Sequence, residues 1–116
     1  MKEVEIEYLI LGFLSANGLA CWKVDVKGYY NEQKGYWQRS NNIYAIKGQA
    51  DISCILPDGR YCAIEVKTPT GKVSPDQQFF LDMVNVRGGI AFIARSIEDV
   101  IENLAKYGYT FKNLPQ

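Results

Sequence analysis

Two acidic residues and a lysine, Asp51, Glu65 and Lys67, fall on two short apolar segments that the sequence predicts to form a β-hairpin. The segments flank Pro57-Asp58-Gly59, which is typical of a three-residue hairpin loop ending on a left-handed glycine. Counting back from this loop places Asp51 opposite Glu65, with Cβ atoms about 4.5–5.5 Å apart. Period-two alternation puts Lys67 on the same face and Val66 on the other. Opposed like charges destabilise a sheet, and a divalent cation with oxygen ligands would compensate for them.

The same three residues could instead form a salt-bridged face in contact with solvent, which is a common role for Glu-x-Lys on a strand. The residues around them argue against that role because they are apolar: Ile52, Ile55, Ala63, Ile64 and Val66. Charged groups are costly to keep inside an apolar hairpin, and they are typical of functional sites. The sequence therefore favours a site on this hairpin.

The composition limits what chemistry the chain can perform. Its 116 residues include no histidine, which excludes Ser-His-Asp and Cys-His catalysis and any zinc site with a histidine ligand. The length predicts a single domain over residues 1–116. Three cysteines, Cys21, Cys54 and Cys62, form no Cys-x-x-Cys pair, so we expect no disulfide framework and no four-thiolate metal site. Cys54 and Cys62 are expected to be small core residues.

The charge is balanced overall but uneven along the chain. Thirteen Lys and Arg residues match thirteen Asp and Glu residues, so net charge gives no general argument for nucleic-acid binding. Residues 21–72 nevertheless carry a local charge of +3, which suits contact with phosphates. Three acids precede the first apolar run, which is unlike a secretory signal, and no run is long enough to span a membrane. We expect a cytoplasmic protein in a reducing environment.

Local patterns predict an α/β fold with the order α-β-(loop)-β-β-α-β-α, a mixed sheet with helices on both faces. Residues 27–47 are polar and aromatic and predict a loop or an irregular hairpin. Ser74 with Gln77, and Ser96 with Asp99, predict capped helix starts. The expected helices are 3–16, one that starts at Pro75 and one that starts at Ser96; the expected strands are 19–26, 50–56, 60–67 and 90–94.

Five ordered motifs resemble the VRR-NUC domain (virus-type replication-repair nuclease), a family within the PD-(D/E)XK nuclease superfamily. They are Gly48-Gln-Ala-Asp51, Pro57-Asp-Gly-Arg60, Ala63-Ile-Glu-Val-Lys67, the run from Gly71 to Gln77, and the run from Gly88 to Ser96. The likeness extends from about Glu3 to Leu104, so it covers nearly the whole chain as one domain. It implies the restriction-endonuclease-like core, in the form found in small phage and prophage proteins. Ala50 stands where the superfamily name has proline, a position that shapes the backbone and supplies no ligand.

The resemblance implies a role for each matching residue. Asp51 and Glu65 would bind Mg²⁺, or Mn²⁺ as a substitute, together with the backbone carbonyl of Val66, and Lys67 would act on the reacting phosphate or water. Gln77 would lie near the metal, although capping of its helix is an equally good role for it. A glutamate of the first helix would approach the metal, and Glu3, Glu5 and Glu7 are all candidates; we favour Glu7 because of its spacing from the apolar residues that follow.

These assignments predict a metal-dependent DNA endonuclease. The resemblance further implies structure-selective cutting of branched DNA, such as four-way (Holliday) junctions, by a homodimer in the cytoplasm of a bacterial host. The candidate dimer surfaces are Tyr8 and Phe13 of the first helix and the aromatic segment 29–44. The aromatic side chains of that segment could equally stack on DNA bases, whereas Trp22 is expected to pack in the core. The alternative is a non-catalytic DNA-binding or assembly module that retains the fold.

Overall fold

The computed structural model describes residues 1–25, 29–31, 33–38, 44 and 46–115. Nine elements follow one another within these residues: α1 (Glu3–Ala16), β1 (Ala20–Lys23), β2 (Tyr29–Asn31), β3 (Tyr36–Gln38), β4 (Ile52–Ile55), β5 (Tyr61–Val66), α2 (Pro75–Val86), β6 (Ile90–Ala94) and α3 (Ile97–Ala105). Four strands form one sheet in the order β1-β4-β5-β6, and β2 and β3 form a separate two-stranded sheet. The predicted mixed α/β fold is confirmed, and the segment 27–47 contains a hairpin.

The hairpin formed by β4 and β5 has the register that its loop predicts. Cys54 pairs with Cys62 and Ile52 with Ile64 in antiparallel fashion. The Leu56 amide donates to the Arg60 carbonyl at 2.9 Å, and Gly59 donates back to Leu56 at 2.8 Å. Gly59 has φ of +89°, a conformation that glycine adopts without a steric penalty. The pairing of β5 with β6 is parallel, which makes the sheet mixed.

Helices cover both faces of the four-stranded sheet. On one face, α1 and α3 pack against the alternate strand residues that include Ile52, Ile64 and Val66. On the other face, α2 packs through Phe80, Leu81 and Val84 against small residues of the strands. Since Ala63 belongs to this second layer, period-two alternation directs Glu65 to the α2 side. The predicted separation of Val66 from the Glu65 face is therefore confirmed by the packing.

Three thiols form a row across three strands on the α1 side. Cys21 lies opposite Cys54, and Cys54 lies opposite Cys62. All three are free thiols, and Cys54 and Cys62 are buried as predicted. A hydrogen bond to Cys62, together with burial, raises the pKa of the Cys54 thiol far above its usual range. These two residues therefore act as small apolar core residues.

Both predicted helix caps form, and the cap at Ser96 differs in detail from the prediction. Ser74 Oγ accepts from the Gln77 amide at 3.2 Å, and Gln77 Oε1 accepts from the Ser74 amide at 2.9 Å. Ser96 accepts from the Asp99 amide at 3.2 Å. The Asp99 carboxylate, however, accepts from the Arg95 amide at 2.8 Å. In a capping box, the Asp99 carboxylate would accept from the amide of the cap residue, Ser96. Here it accepts from the amide of the preceding residue, Arg95.

Two predictions about side-chain exposure are wrong. Trp22 is 47% exposed rather than part of the core, because β1 lies at the sheet edge while α2 covers β5 and β6. Phe13 is buried and packs against Phe111 with ring centroids 4.9 Å apart, so it is unavailable as a dimer surface.

At the sheet edge formed by β6, the Asn85 side chain forms hydrogen bonds with both the amide and the carbonyl of Ala91, at 2.8 and 2.9 Å.

No helix among the described residues combines the length and the apolar character that crossing a membrane requires. In the aromatic segment 29–44, which the sequence offers as a dimer or DNA surface, the side chains of residues 29–32 and 36–43 lie outside the described part of the structure. Tyr44 from the same segment is described and is exposed.

Gly48 fixes the approach of the chain to β4, and its replacement provides a test of the fold. Its φ is +73°, and a Cβ atom added there would overlap the Asp76 backbone and come within 2.6 Å of the Gln77 nitrogen. Gly59 also has positive φ but faces open space. Gly59→Ala should lower the free energy of unfolding by about 1–2 kcal/mol. Gly48→Ala should cost roughly 1–3 kcal/mol more, as measured by urea unfolding. Equal losses in the two variants would contradict the close packing on α2.

Candidate active site

The acidic pair lies at one end of the four-stranded sheet. Asp51 immediately precedes β4 and Glu65 is the penultimate residue of β5. The register that pairs Ile52 with Ile64 makes Asp51 and Glu65 the next pair along. The Leu56 amide donates to the Arg60 carbonyl, so Leu56 and Arg60 form a hydrogen-bonded pair. Such pairs alternate with non-hydrogen-bonded ones along the hairpin, which makes Asp51 and Glu65 a non-hydrogen-bonded pair, the kind in which side chains approach most closely. The two carboxyl groups interact closely enough for Asp51 to raise the pKa of Glu65.

Asp51 is held by two strands at once. Its side-chain oxygen Oδ2 accepts from the Val66 amide at 2.8 Å. Its backbone carbonyl accepts from the Val24 amide at 2.7 Å, which continues the pairing of β1 with β4. A hydrogen bond from a backbone amide to a carboxylate favours the charged form of the carboxylate. The direction of the Asp51 carboxylate is therefore set by the backbone beside Glu65.

Glu65 is the buried member of the pair, with 2% of its surface exposed. Burial raises the pKa of the Glu65 carboxyl to about 9, and the hydrogen bond and negative charge of Asp51 add to this effect. The positive charge of Lys67 opposes the shift and Glu3 contributes slightly to it. At neutral pH the metal-free Glu65 carboxyl therefore keeps its proton. The second oxygen, Oε2, is buried without a hydrogen-bond partner among the described residues.

Lys67 directly follows β5, on the same side of the strand as Glu65. Its amide donates to the Ala94 carbonyl of β6 at 3.1 Å, so the backbone of Lys67 is still held by the sheet. The side chain is half-buried, and its charge lowers the pKa of Glu65. A fixed cation at the edge of a carboxylate pair is suited to bind an anionic group that approaches the same place.

A cleft of about 340 Å³ opens beside Asp51, between α1 and β1. Its walls include Glu3, Glu7, Lys23 and Asp25. Glu7 is only 6% exposed, and its Oε1 atom lies 3.8 Å from the Lys23 ammonium. The ammonium also lies over the Tyr8 ring, 5.1 Å from its centroid. Glu7 therefore reaches the cleft that Asp51 lines, as the helical spacing suggests, and it does so next to a cation.

No local sequence pattern singles out Lys23 and Asp25. Lys23 reaches the cleft because β1 pairs with β4 in a register that places it opposite Ile52, next to the start of the acidic pair. Gln77 lies outside the residues that line the cleft; it caps α2 with Ser74 and contacts the Gly48 backbone that leads to Asp51. The structure thus documents the capping role of Gln77.

The donor set fits a hard divalent cation. Mg²⁺ in proteins is held by one or two carboxylates and keeps several water ligands, and Asp51 and Glu65 provide two carboxylates in contact. The buried Glu65 Oε2 atom has no hydrogen-bond partner within the described parts of the chain, and it is the kind of oxygen that a cation would satisfy. Among the described residues, no three His, Cys, Asp or Glu side chains are grouped closely enough to hold one ion together. Glu7 therefore does not join the pair in this arrangement.

A mixed sheet between helices, with an aspartate and a Glu-x-Lys sequence meeting at the end of two paired strands, defines a nuclease-like α/β domain. The family model described as the VRR-NUC domain matches residues 25–98, which include Asp51, Glu65, Lys67 and Gln77 but not Glu7. The chain belongs to the VRR-NUC family. Membership implies nuclease activity on DNA, which is a hydrolase reaction.

The fold is similar to that of a solved structure of a VRR-NUC domain protein, with a TM-score of 0.60. The two chains are 18% identical, and the match covers 100% of this chain and 97% of the other. No curated protein sequence matches this chain. The similarity of the folds extends over the first helix and β1, which the family model does not reach.

The raised pKa of Glu65 predicts how stability depends on pH without metal. An unfolded glutamate titrates near 4.3, so the free-energy contribution of protonated Glu65 is complete below that pH and is lost as pH rises towards 9. In EDTA, the melting temperature should fall between about pH 5 and 9, and Glu65→Gln should flatten this decline. Differential scanning fluorimetry at each pH, with the exposed Glu102→Gln variant as control, measures the effect. An unchanged pH profile in Glu65→Gln would contradict the assignment.

Proposed function

We propose that the protein is a magnesium-dependent, structure-selective DNA endonuclease that cuts branched DNA. The observation that carries this proposal is the buried contact between Asp51 and Glu65 at the end of the sheet, with Lys67 beside it. Two carboxyl groups in contact at the edge of an apolar core are a poor structural device, since well-packed apolar residues in place of buried charged groups are often neutral or stabilising. Its presence in a nuclease family supports a catalytic role.

Asp51 and Glu65, together with the backbone carbonyl of Val66, would hold Mg²⁺, and Mn²⁺ would substitute for it. Glu7 is not grouped with this pair in the metal-free arrangement, but it lines the same cleft as Asp51 and is proposed to approach the bound ion from there. When bound, the ion supplies charge neutralisation at the scissile phosphate and lowers the pKa of water for attack. The Val66 amide would keep Asp51 in its direction, and Glu65 would give up its proton to bind the cation. Binding should therefore release a proton near neutral pH.

Lys67 is proposed to bind the non-bridging oxygens of the phosphate or to orient the attacking water. Its ammonium is a compact positive charge that gains in strength where solvent is excluded. Because the Lys67 backbone is bonded to β6 and its charge reaches Glu65, the ammonium is held near the metal ligands. Neutralising it should affect the chemical step far more than binding of the ion.

The preference for branched DNA rests on the family and on size. One short chain carries one acidic pair, so paired cuts across a four-way junction require two copies, and a two-fold homodimer supplies them. Exposed apolar side chains on α1, namely Val4, Tyr8 and Leu9, are available for such an interface. We propose that this enzyme works in the cytoplasm of a bacterial host, where DNA is accessible and where its free thiols stay reduced.

Substitutions in the site should separate metal binding from the chemical step. Asp51→Asn and Glu65→Gln should weaken or abolish Mn²⁺ binding in calorimetry and abolish cleavage. Lys67→Met should keep Mn²⁺ binding but lower kcat by about 10²–10³-fold, the usual effect of losing one group that stabilises the transition state. Lys106→Met, an exposed lysine at the end of α3, is the control and should cut normally. Mn²⁺ binding that is unaltered in both acid variants would refute the proposed ligands.

A panel of labelled DNA substrates tests the proposed specificity. Duplex, flap, splayed-arm and four-way-junction DNA should be compared with Mg²⁺, Mn²⁺ and EDTA, and light scattering should measure the oligomeric state with and without a junction. We expect a dimer that cuts the junction fastest and only with a divalent ion. Equal cutting of duplex and junction by a monomer would contradict structure selectivity. DNA binding without cleavage under all conditions would favour the non-catalytic module instead.

A further inference from the structure

The turn that follows Lys67 is held by one arginine from the neighbouring strand end. Arg95 Nη1 donates to the Thr68 carbonyl at 2.5 Å and to the Gly71 carbonyl at 2.8 Å. The Gly71 amide also donates to the Thr68 carbonyl at 3.0 Å, which closes the turn on itself. One guanidinium nitrogen thus binds both ends of the turn and fixes the direction in which the chain leaves Lys67.

The turn folds back onto the base of the Lys67 side chain. A Cβ atom added at Gly71 would lie 3.5 Å from Lys67 Cβ and 3.1 Å from Thr68 Oγ1. Any change in the turn therefore reaches the first side-chain carbon of Lys67 directly. Since the ammonium lies at the end of a long flexible stem, a small rotation at Cβ becomes a large displacement at Nζ.

Arg95 is itself held by groups unconnected with the acidic pair. Its amide donates to the Asp99 carboxylate of α3 at 2.8 Å. The preceding residue, Ala94, accepts the Lys67 amide at 3.1 Å. The side chain lines a cavity of about 370 Å³ with Pro69 and Ile97, separate from the cleft at Asp51. Arg95 is thus anchored on β6 and α3, and its place in that second cavity leaves room for a methionine.

We propose that Arg95 is a positioning residue that orients Lys67 for the reaction by clamping the turn from Thr68 to Gly71. This inference rests on the proposed nuclease function. Arg95 acts on two backbone carbonyls and not on DNA or metal, because its charged end is already committed to the turn. A guanidinium suits this task because its donors are fixed in one plane, whereas a lysine ammonium rotates freely.

The test compares Arg95→Met and Arg95→Lys with Arg60→Met. Arg60 is the matched control because its Nε atom donates to the Gly88 carbonyl at 2.6 Å, beside the hairpin loop at the opposite end of the sheet from Asp51. Arg95→Met should lower kcat for junction cleavage by about 100-fold, the order expected for a misplaced catalytic group. The KM for DNA and the Mn²⁺ affinity should stay within error of wild type. Arg95→Lys should recover part of kcat, and Arg60→Met should keep all of it.

A second readout does not depend on cleavage. Hydrogen exchange of the Gly71 amide should speed up in Arg95→Met and remain slow in Arg60→Met, since only the first variant frees the turn. A raised KM with kcat unchanged would show that Arg95 contacts DNA and would overturn the proposal. Unchanged Gly71 exchange in Arg95→Met would overturn it as well. If the wild-type protein cuts no DNA while Gly71 exchange still responds to Arg95→Met, the clamp stands and the nuclease function fails.

Discussion

The contact between Asp51 and Glu65 across the start of β4 and the end of β5 is the constraint on which the rest of the structure depends. Two carboxyl groups face each other there because the hairpin register allows no other pairing. The Val66 amide holds Asp51 in place, and burial keeps Glu65 from ionising freely. The interaction is repulsive when both groups are charged, so the surrounding sheet must be rigid enough to enforce it. The apolar packing of both sheet faces provides that rigidity.

The register of this pair could be predicted because it depends on local chemistry. Pro57, Asp58 and Gly59 define a loop of fixed length, and period-two alternation carries its geometry to Asp51 and Glu65 without knowledge of the remaining fold. The helix that begins after Ser74 is predictable for the same reason, since its cap and the residue that completes it are three positions apart. In both cases the deciding interactions join residues that are close in sequence.

The parts that the sequence did not reveal depend on distant contacts. No local pattern predicts that β1 pairs with β4 at the sheet edge. The sequence therefore predicts Trp22 in the core and assigns no role to Lys23. The choice among Glu3, Glu5 and Glu7 also depends on how α1 packs. Ile6, Ile10 and Leu14 turn one face of the helix to the sheet, and this orientation buries Glu7 against Lys23. The hydrogen bonds from the Arg95 side chain to the carbonyls of Thr68 and Gly71 correspond to no periodic pattern in the sequence.

The Asn85 side chain limits how two copies of this protein can pair through their sheet edges. By bonding both the amide and the carbonyl of Ala91, it occupies backbone groups of β6 that face away from β5. A strand from another molecule cannot pair with those groups. The Asn85 side chain therefore blocks strand pairing at Ala91 on the β6 edge of the sheet. Growth of the sheet by strand addition, whether in assembly or in aggregation, is directed away from β6 and towards the margin formed by β1.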